Sequence, residues 1–422
     1  MNDFANREKK TFVLHFSYAV IEGIISGVIV LNEFVFIKSL GGSDYLLSVL
    51  FQFSMLVFIL LIFVNEFIRR SARKRRLLRI TGVVTRLPLI LMALFPHSPA
   101  VNALSFHYLF LAVFLFYYLG NIIIFPMINL LLKSNYTHAR FGKYYSYSTA
   151  AGKISMLAAT YFYGTLLDTD FYAFTYVYPF IAFLGILSVV LLSLIDLKEP
   201  SGPVIRSAFM ESVKGSMRNM VNILKSNRPY LHFEISFMLY GFAFMTTYSV
   251  VILFMEKELH LGYNDIAFYK NLHLFLSIVF LPVMGRYIGR TLPQRFAIVT
   301  YLFLLMYIVF IMITGFFPAR FEFAGLQIYP FLFIAFLFYG FFASTMGILW
   351  NIGSAYFCES EQVWEYQSVH LFLTGLRATF APVLGVFFLE MSGYTVTFLI
   401  ASIVLLAAIG VMLVSYRSVK KG

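Results

Sequence analysis

Asp196-Leu197-Lys198-Glu199-Pro200-Ser201-Gly202-Pro203 opens the one long polar stretch of this chain, which continues to Pro229. Six apolar stretches precede it, near 12–37, 44–67, 78–95, 103–132, 144–167 and 171–195. Six follow, near 230–255, 264–288, 293–317, 328–351, 367–390 and 393–416. Each is close to or beyond the roughly 20 residues that a helix needs to cross a bilayer. They are apolar all round rather than alternating, which argues against barrel strands. The chain is 60% hydrophobic and only 12% charged, with a mean hydropathy of +0.82. Soluble domains are about a quarter charged, so a water-soluble fold is excluded. The reading is an all-α membrane protein of 12 transmembrane helices, in two parallel, pseudo-repeated six-helix bundles. Residues 1–195 form the N-terminal bundle, 196–229 a cytoplasmic connector and 230–422 the C-terminal bundle.

The halves echo each other. Phe114-Leu115-Phe116-Tyr117 recurs as Phe336-Leu337-Phe338-Tyr339, 222 positions later. Asn129 and Asn351, Tyr144 and Tyr366, Ser146 and Ser368, and Tyr18 and Tyr240 match at the same offset. Leu40-Gly41-x-x-Asp44 recurs as Leu261-Gly262-x-x-Asp265, one residue out of step. Both words read as a helix stop at Gly followed by an N-cap. Duplicated bundles packed in parallel are a common transporter plan.

Basic residues set the orientation. Of the 32 Lys and Arg, 25 lie at the two termini and in alternate connections, while the opposite connections hold only Lys38, Lys257 and Arg320. This asymmetry places both termini and the connector in the cytoplasm. The net charge of +12 is therefore topological, with attraction to lipid heads and no nucleic-acid partner. A segment from Ile205 to Leu224 has the pattern of a surface helix, with Lys214, Arg218 and Lys225 towards lipid heads. The expected location is a bacterial cytoplasmic (inner) membrane. Arg7, Lys9 and Lys10 resemble a signal peptide's basic lead, but the apolar run after them is too long for one. It reads as the retained first helix. Cys358 is the only cysteine, so neither an intrachain disulfide nor a cysteine metal cluster is possible. No cofactor is implied.

Glu22 stands in twenty residues, 12–31, that are otherwise free of charge. At about 1.5 Å per residue it lies roughly 15 Å from the cytoplasmic end, near the midplane. An acid there costs about 2.5–3.5 kcal/mol, which makes a lipid-facing position unfavourable. It is either a coupling or solute-binding carboxyl, or a neutral Glu that bonds another helix. Lys153 sits at the same depth in the fifth span, where a pair with Glu22 is geometrically possible. Arg377 takes the matching depth in the eleventh span. Two cations there suit an anionic or zwitterionic solute; structural pairing is the alternative for each. Asn121, Tyr240 and Asn351 are expected polar lining.

Other candidates read as structural. Arg86, about eight residues into the third span, can snorkel to the cytoplasmic face. Glu234 and His370 lie within one or two turns of that surface, where interfacial hydration or gating explains them. Lys270 and His273 share a helix face. Ala151, Ser155 and Ala159 form a small-residue face suited to close helix packing. Pro88, Pro126, Pro282 and Pro382 fall in or near spans, where they kink helices. His260–Asp265 and Asp168-Thr169-Asp170 echo acyltransferase and glycosyltransferase words, but both lie in short turns without supporting groups. An enzyme is not indicated.

The 6+6 pattern, the cytoplasmic connector and several local words together resemble the major facilitator superfamily (MFS). The Leu-Gly-x-x-Asp turns resemble the family's turn between the first two helices of each half. Arg140-Phe141-Gly142-Lys143 resembles its Arg-x-Gly-[Arg/Lys] element, and Gly285-x-x-x-Gly289-Arg290 a degraded Gly-x-x-x-Asp-Arg loop. The first-half copy keeps only the basic cluster 69–79. The resemblance implies rocking-bundle alternating access, a cavity lined by helices 1, 4, 7 and 10 with help from 2, 5, 8 and 11, and often proton coupling. The function expected is a secondary active transporter for a small solute. A non-transporting sensor or assembly partner is the rival class.

Overall fold

The computed structural model describes residues 2–54, 59–60, 71, 73–136, 138–197, 209–288, 290–359 and 362–421. The helices are α1 (Asn2–Ile29), α2 (44–54), α3 (Lys74–Arg86), α4 (Leu104–Asn135), α5 (His138–Thr169) and α6 (Phe174–Ser193). They continue as α7 (Phe209–Ser226), α8 (Arg228–Leu253), α9 (Tyr263–Ile288), α10 (Pro293–Phe316), α11 (Pro330–Ile352), α12 (Val363–Ala378) and α13 (Ala381–Lys421). Nine helical stretches among the described residues are long and apolar enough to cross a membrane. One of them, Glu365–Val419, covers two of the expected spans and loses helical geometry at Gly393 (φ 76°, ψ 176°). That is the boundary expected between 367–390 and 393–416. Of the second expected span, 44–67, residues 55–58 and 61–67 lie outside the described residues. The fifth lies in α5, whose small and polar residues, Lys153 among them, lower its hydropathy.

Two compact units emerge, one of residues 1–46 and 60–209, the other of 47–59 and 210–422. In the first, α1 and α5 touch backbone to backbone. A Cβ on Gly23 would collide with the Gly152 carbonyl, and one on Gly27 would lie 2.5 Å from Met156 O and 2.7 Å from Ala159 Cβ. Thr160 Oγ1 donates to Gly27 O across this seam at 3.0 Å. The seam on α5 is made by Gly152, Met156, Ala159 and Thr160 against Gly23-x-x-x-Gly27 on α1, so of the expected small-residue face only Ala159 is seen in it. In the second unit, Gly385 lies equally close to the Thr246 carbonyl.

Of the four prolines expected to kink helices, Pro88 and Pro382 lie beside breaks in the α-helical run, and Pro126 and Pro282 do not. Pro88 opens a 3₁₀ helix, Leu87–Leu94. Pro382 follows the break between α12 and α13, and the freed Thr379 carbonyl accepts from Gln52 Nε2 at 3.1 Å. Pro126 and Pro282 stay inside continuous helices.

The Leu-Gly-x-x-Asp repeat needs correction. The first and seventh spans both end in a five-residue π-helix, Val35–Ser39 and Phe254–Glu258. The residues with positive φ after them are Gly41 (63°) and His260 (51°). The turns thus align Gly41 with His260, not with Gly262. Gly262 instead starts α9, where Asp265 Oδ2 accepts from its N–H at 3.0 Å. A second departure is a β-hairpin after α10, Phe321–Phe323 against Leu326–Ile328. It fills the connection between the expected spans 293–317 and 328–351. Asp265 Oδ1 anchors it by accepting from Gln327 N at 2.8 Å.

Candidate functional site

In the first unit, Glu22 lies in the middle of α1 and does not meet Lys153. Its partner is Arg86, the last residue of α3. Arg86 Nη2 reaches Glu22 Oε1 at 3.3 Å and Oε2 at 3.4 Å. Ser188 on α6 donates to Glu22 Oε1 at 2.6 Å. The guanidinium sits 4.2 Å from the Tyr117 ring centroid on α4, an arrangement in which the ring face attracts the cation. Gly185 makes room for it: a Cβ there would lie 3.0 Å from Arg86 Cδ. The snorkelling reading of Arg86 is overturned, because the residue is 1% exposed and turns inward to a carboxylate. Its depth in the span was legible; the face it occupies was not.

Lys153 is half-buried and makes no hydrogen bond or ion pair among the described residues. Asn121 is likewise half-buried on α4 with no side-chain hydrogen bond among them. Asn351 belongs to α11, and its side chain lies outside the described residues. The same holds for the side chains of Phe141 and Lys143, and for Gly289. Arg140 of the basic turn pairs with the buried Glu8 at 3.0 Å.

The second unit repeats the theme with other helices. Arg377 on α12 is 1% exposed. Its Nη1 donates to the Phe237 carbonyl on α8. The guanidinium lies 5.1 Å from the Phe237 ring and 5.3 Å from the Tyr240 ring. Tyr240 in turn stacks on Tyr301 at 5.0 Å, whose hydroxyl accepts from Ser236 Oγ at 3.2 Å. Gly241 is required here, since a Cβ would overlap the guanidinium. Tyr240 therefore borders the arginine.

Both arginines have unused donors. Arg86 Nε and Nη1, and Arg377 Nε and Nη2, are buried with no hydrogen-bond partner among the described residues. Glu234 and Tyr240 are electrostatic neighbours of Arg377, yet neither supplies Nε or Nη2 with a bond of ordinary geometry. Tyr117 beside Arg86 and Tyr240 beside Arg377 are side-chain hydrogen-bonding neighbours of the two guanidiniums, so neither fork stands without polar company. A guanidinium fork matches a carboxylate or phosphate edge.

Glu234 and His370 were read as interfacial. They form a buried pair, Nδ1 to Oε1 at 3.0 Å, with side chains 3% and 0% exposed. His370 also packs edge-on to Phe237 and Trp350. Hydration does not explain them; the two helices bury them against each other. Lys270 Nζ lies 3.3 Å from Tyr248 OH and over its ring. Among the described residues there is no cluster of three or more His, Cys, Asp or Glu that could hold a metal ion.

Comparison with solved structures shows the same fold. The nucleoside transporter NupG aligns with a TM-score of 0.68 at 12% identity, over 98% of this chain and 99% of its own. The peptide transporter POT in complex with sulfate gives 0.70 at 12%, over 98% and 94%. A bacterial homologue of the human lysosomal transporter Spinster gives 0.62 at 13%, over 98% of each. No curated protein sequence matches the chain. The family model described as Major Facilitator Superfamily matches residues 11–362, a span that includes Glu22, Arg86 and the Glu234 end of the second cluster. This multi-pass membrane protein belongs to the Major Facilitator Superfamily.

Proposed function

We propose that the protein is a secondary active transporter for a small anionic or zwitterionic solute, working by alternating access. The observation that carries this reading is the pair of buried arginines, each with two unused guanidinium nitrogens, on a fold shared with transporters. Arg377 holds an acidic group of the solute, with Tyr240 beside it. In the first unit Arg86 takes the place first assigned to Lys153. Glu22, held by Arg86 and Ser188, orients or couples. Lys153, Asn121 and Asn351 remain secondary polar contacts.

Proton coupling is part of the proposal, with Glu234 and His370, bonded at 3.0 Å on two different helices, as the groups assigned to it in the second unit. Glu22 is the corresponding acid of the first unit. The orientation proposed has both termini and α7 on the cytoplasmic side of an inner membrane, the exposed Lys214, Arg218 and Lys225 facing lipid heads. The division proposed is 1–195, 196–229 and 230–422, with 196–229 as the connector.

The test is flux into proteoliposomes from a panel of anionic and zwitterionic solutes, with and without a proton gradient. Solute-dependent flux by the wild type, reduced in Glu22→Gln and Arg377→Ala, is the expected result. If both variants transport at the wild-type rate, the site assignment is wrong. If no solute moves across a broad panel, a sensor or assembly role takes precedence.

A further inference from the structure

In the first unit α3 and α6 lie side by side and antiparallel, and three contacts fix their register. Arg79 Nε donates to Ser193 Oγ at 3.1 Å. A Cβ on Gly82 would collide with Val189, and one on Gly185 would lie 3.0 Å from Arg86 Cδ. As the numbers on α3 rise from 79 to 86, those of their partners on α6 fall from 193 to 185. Along this seam each helix carries an exposed apolar stripe. Ile80 and Val84 stand on α3, with Leu87 just past its end. Phe183 and Leu187 stand on α6, with Leu194 just past its end. Steps of three, four and seven residues keep each set on one helix face. Both helices belong to stretches long and apolar enough to cross a membrane, so the stripes meet acyl chains.

The α3 stripe ends in charge. Continued towards the helix start, it reaches Arg76 and Arg73, four and seven residues before Ile80. Both side chains are exposed, and neither makes a hydrogen bond or ion pair with a described residue. Arg79 is exposed on the side of α3 nearest α6, where Ser193 is its one partner among the described residues. Asp196, which follows α6, is shared by Arg75 at 3.5 Å and Lys10 at 3.9 Å. Arg73, Arg76 and Arg79 therefore have no counter-charge among the described residues. At about 1.5 Å per residue Arg76 lies roughly 6 Å beyond Ile80, within the depth of one headgroup layer.

We infer that the α3–α6 seam binds one anionic phospholipid, its phosphate on Arg73, Arg76 and Arg79 and an acyl chain along Ile80, Val84 and Leu187. Guanidinium forks match phosphate oxygens. A free phosphate ester would meet the arginines and leave the stripes to other lipids. A zwitterionic lipid would cover the stripes, but it brings a cation of its own to a basic surface. A lipid with net negative charge serves both parts. In the orientation proposed above it sits in the cytoplasmic leaflet; binding itself depends neither on that orientation nor on transport.

The experiment places a reporter in the stripe. The full chain with Leu87→Trp is reconstituted in bilayers in which either phosphatidylglycerol or phosphatidylcholine carries brominated chains, at equal mole fraction. Quenching is read against the wild type, whose 2 tryptophans give the background. Brominated phosphatidylglycerol should quench as though enriched roughly 5- to 30-fold over phosphatidylcholine, the range for one to two basic contacts. That enrichment should shrink as salt is raised. Arg73→Gln with Arg76→Gln should remove it, whereas Lys214→Gln with Arg218→Gln on α7 should leave it in place. If the first pair fails to reconstitute, Arg76→Gln alone carries the test, with enrichment lowered several-fold. Equal quenching by the two lipids overturns the inference. Enrichment that survives removal of the α3 arginines overturns it as well. Loss of enrichment to the same extent in the α7 pair would reveal a general attraction of a basic protein, with no site at this seam. Displacement of the brominated lipid by soluble glycerol phosphate would overturn the lipid assignment in favour of a free phosphate ester.

Discussion

Arg86 Nη2 lies 3.3 Å from Glu22 Oε1, with the arginine 1% and the glutamate side chain 18% exposed. Three helices meet at this contact: α1 brings the acid, α3 the base and α6 the Ser188 hydroxyl. The pair balances charge, but it uses only one of the guanidinium's three nitrogens. What remains is either structural slack or a place for a solute's acid, and mutation separates the two.

Glu22→Gln leaves a buried cation without its anion. Breaking one side of such a pair costs about 3–5 kcal/mol, so a clear drop in unfolding temperature is expected, together with loss of transport. The double variant Glu22→Gln with Arg86→Met removes both charges and should recover most of the stability, because apolar replacement of a buried pair is often neutral. It should not recover flux. Wild-type flux in the double variant would remove both residues from the site.

Gly241→Ala should behave like an Arg377 variant. The added methyl falls on the guanidinium, and the arginine must leave its place beside Phe237 and Tyr240. Gly410→Ala is the control, with nothing within 4 Å of its Cβ; there the helix gains up to about 1 kcal/mol from propensity. Equal behaviour of the two in solute binding and thermal unfolding would show that the glycine at 241 is not there for the arginine.

Asp265 joins a helix start to a hairpin, accepting from Gly262 N and Gln327 N. Asp265→Ala strands two backbone N–H groups, at about 1–3 kcal/mol if both stay dry. Hydrogen exchange at Gly262 and Gln327 should speed up selectively, with α8 unaffected. Uniform acceleration through the second unit would mean that the carboxylate supports more than the hairpin.

Cys358 follows a short 3₁₀ turn (Ser354–Phe357) after α11, outside the spanning stretches, and burial pushes its thiol above the usual value. At neutral pH it is protonated and a weak nucleophile; reactivity should rise as pH climbs past 9, because the thiolate is the attacking form. A membrane-impermeant maleimide should therefore label it slowly at pH 7 and faster at pH 9. With the proposed orientation, labelling occurs in inverted vesicles and not in intact cells. Labelling of intact cells would reverse the topology.

Depth was legible in this sequence because a spanning helix rises by a constant amount per residue. Glu22 and Arg377 were assigned their depth that way. Azimuth was not legible. Arg86 and Lys153 both enter spans from the cytoplasmic end, and only packing decides which one meets Glu22. The glycine at 185 leaves room for the arginine, while α1 and α5 approach so closely at Gly23 and Gly152 that this seam is filled by backbone. The repeated Leu-Gly-x-x-Asp words misled for a related reason. Similar turn residues served two registers, one with Gly41 at positive φ and one with His260 there. Glu234 and His370 looked interfacial from sequence position alone, although His370 Nδ1 and Glu234 Oε1 bond each other inside the protein.

The sequence by itself determined an all-helical, multi-pass membrane chain, since hydrocarbon forces every backbone polar group into helices and leaves charge only where it is shielded. Tertiary structure decided which charges meet. That choice depends on how each helix is rotated about its axis, a property set by glycine contacts and ring packing on neighbouring helices that no single stretch of sequence contains.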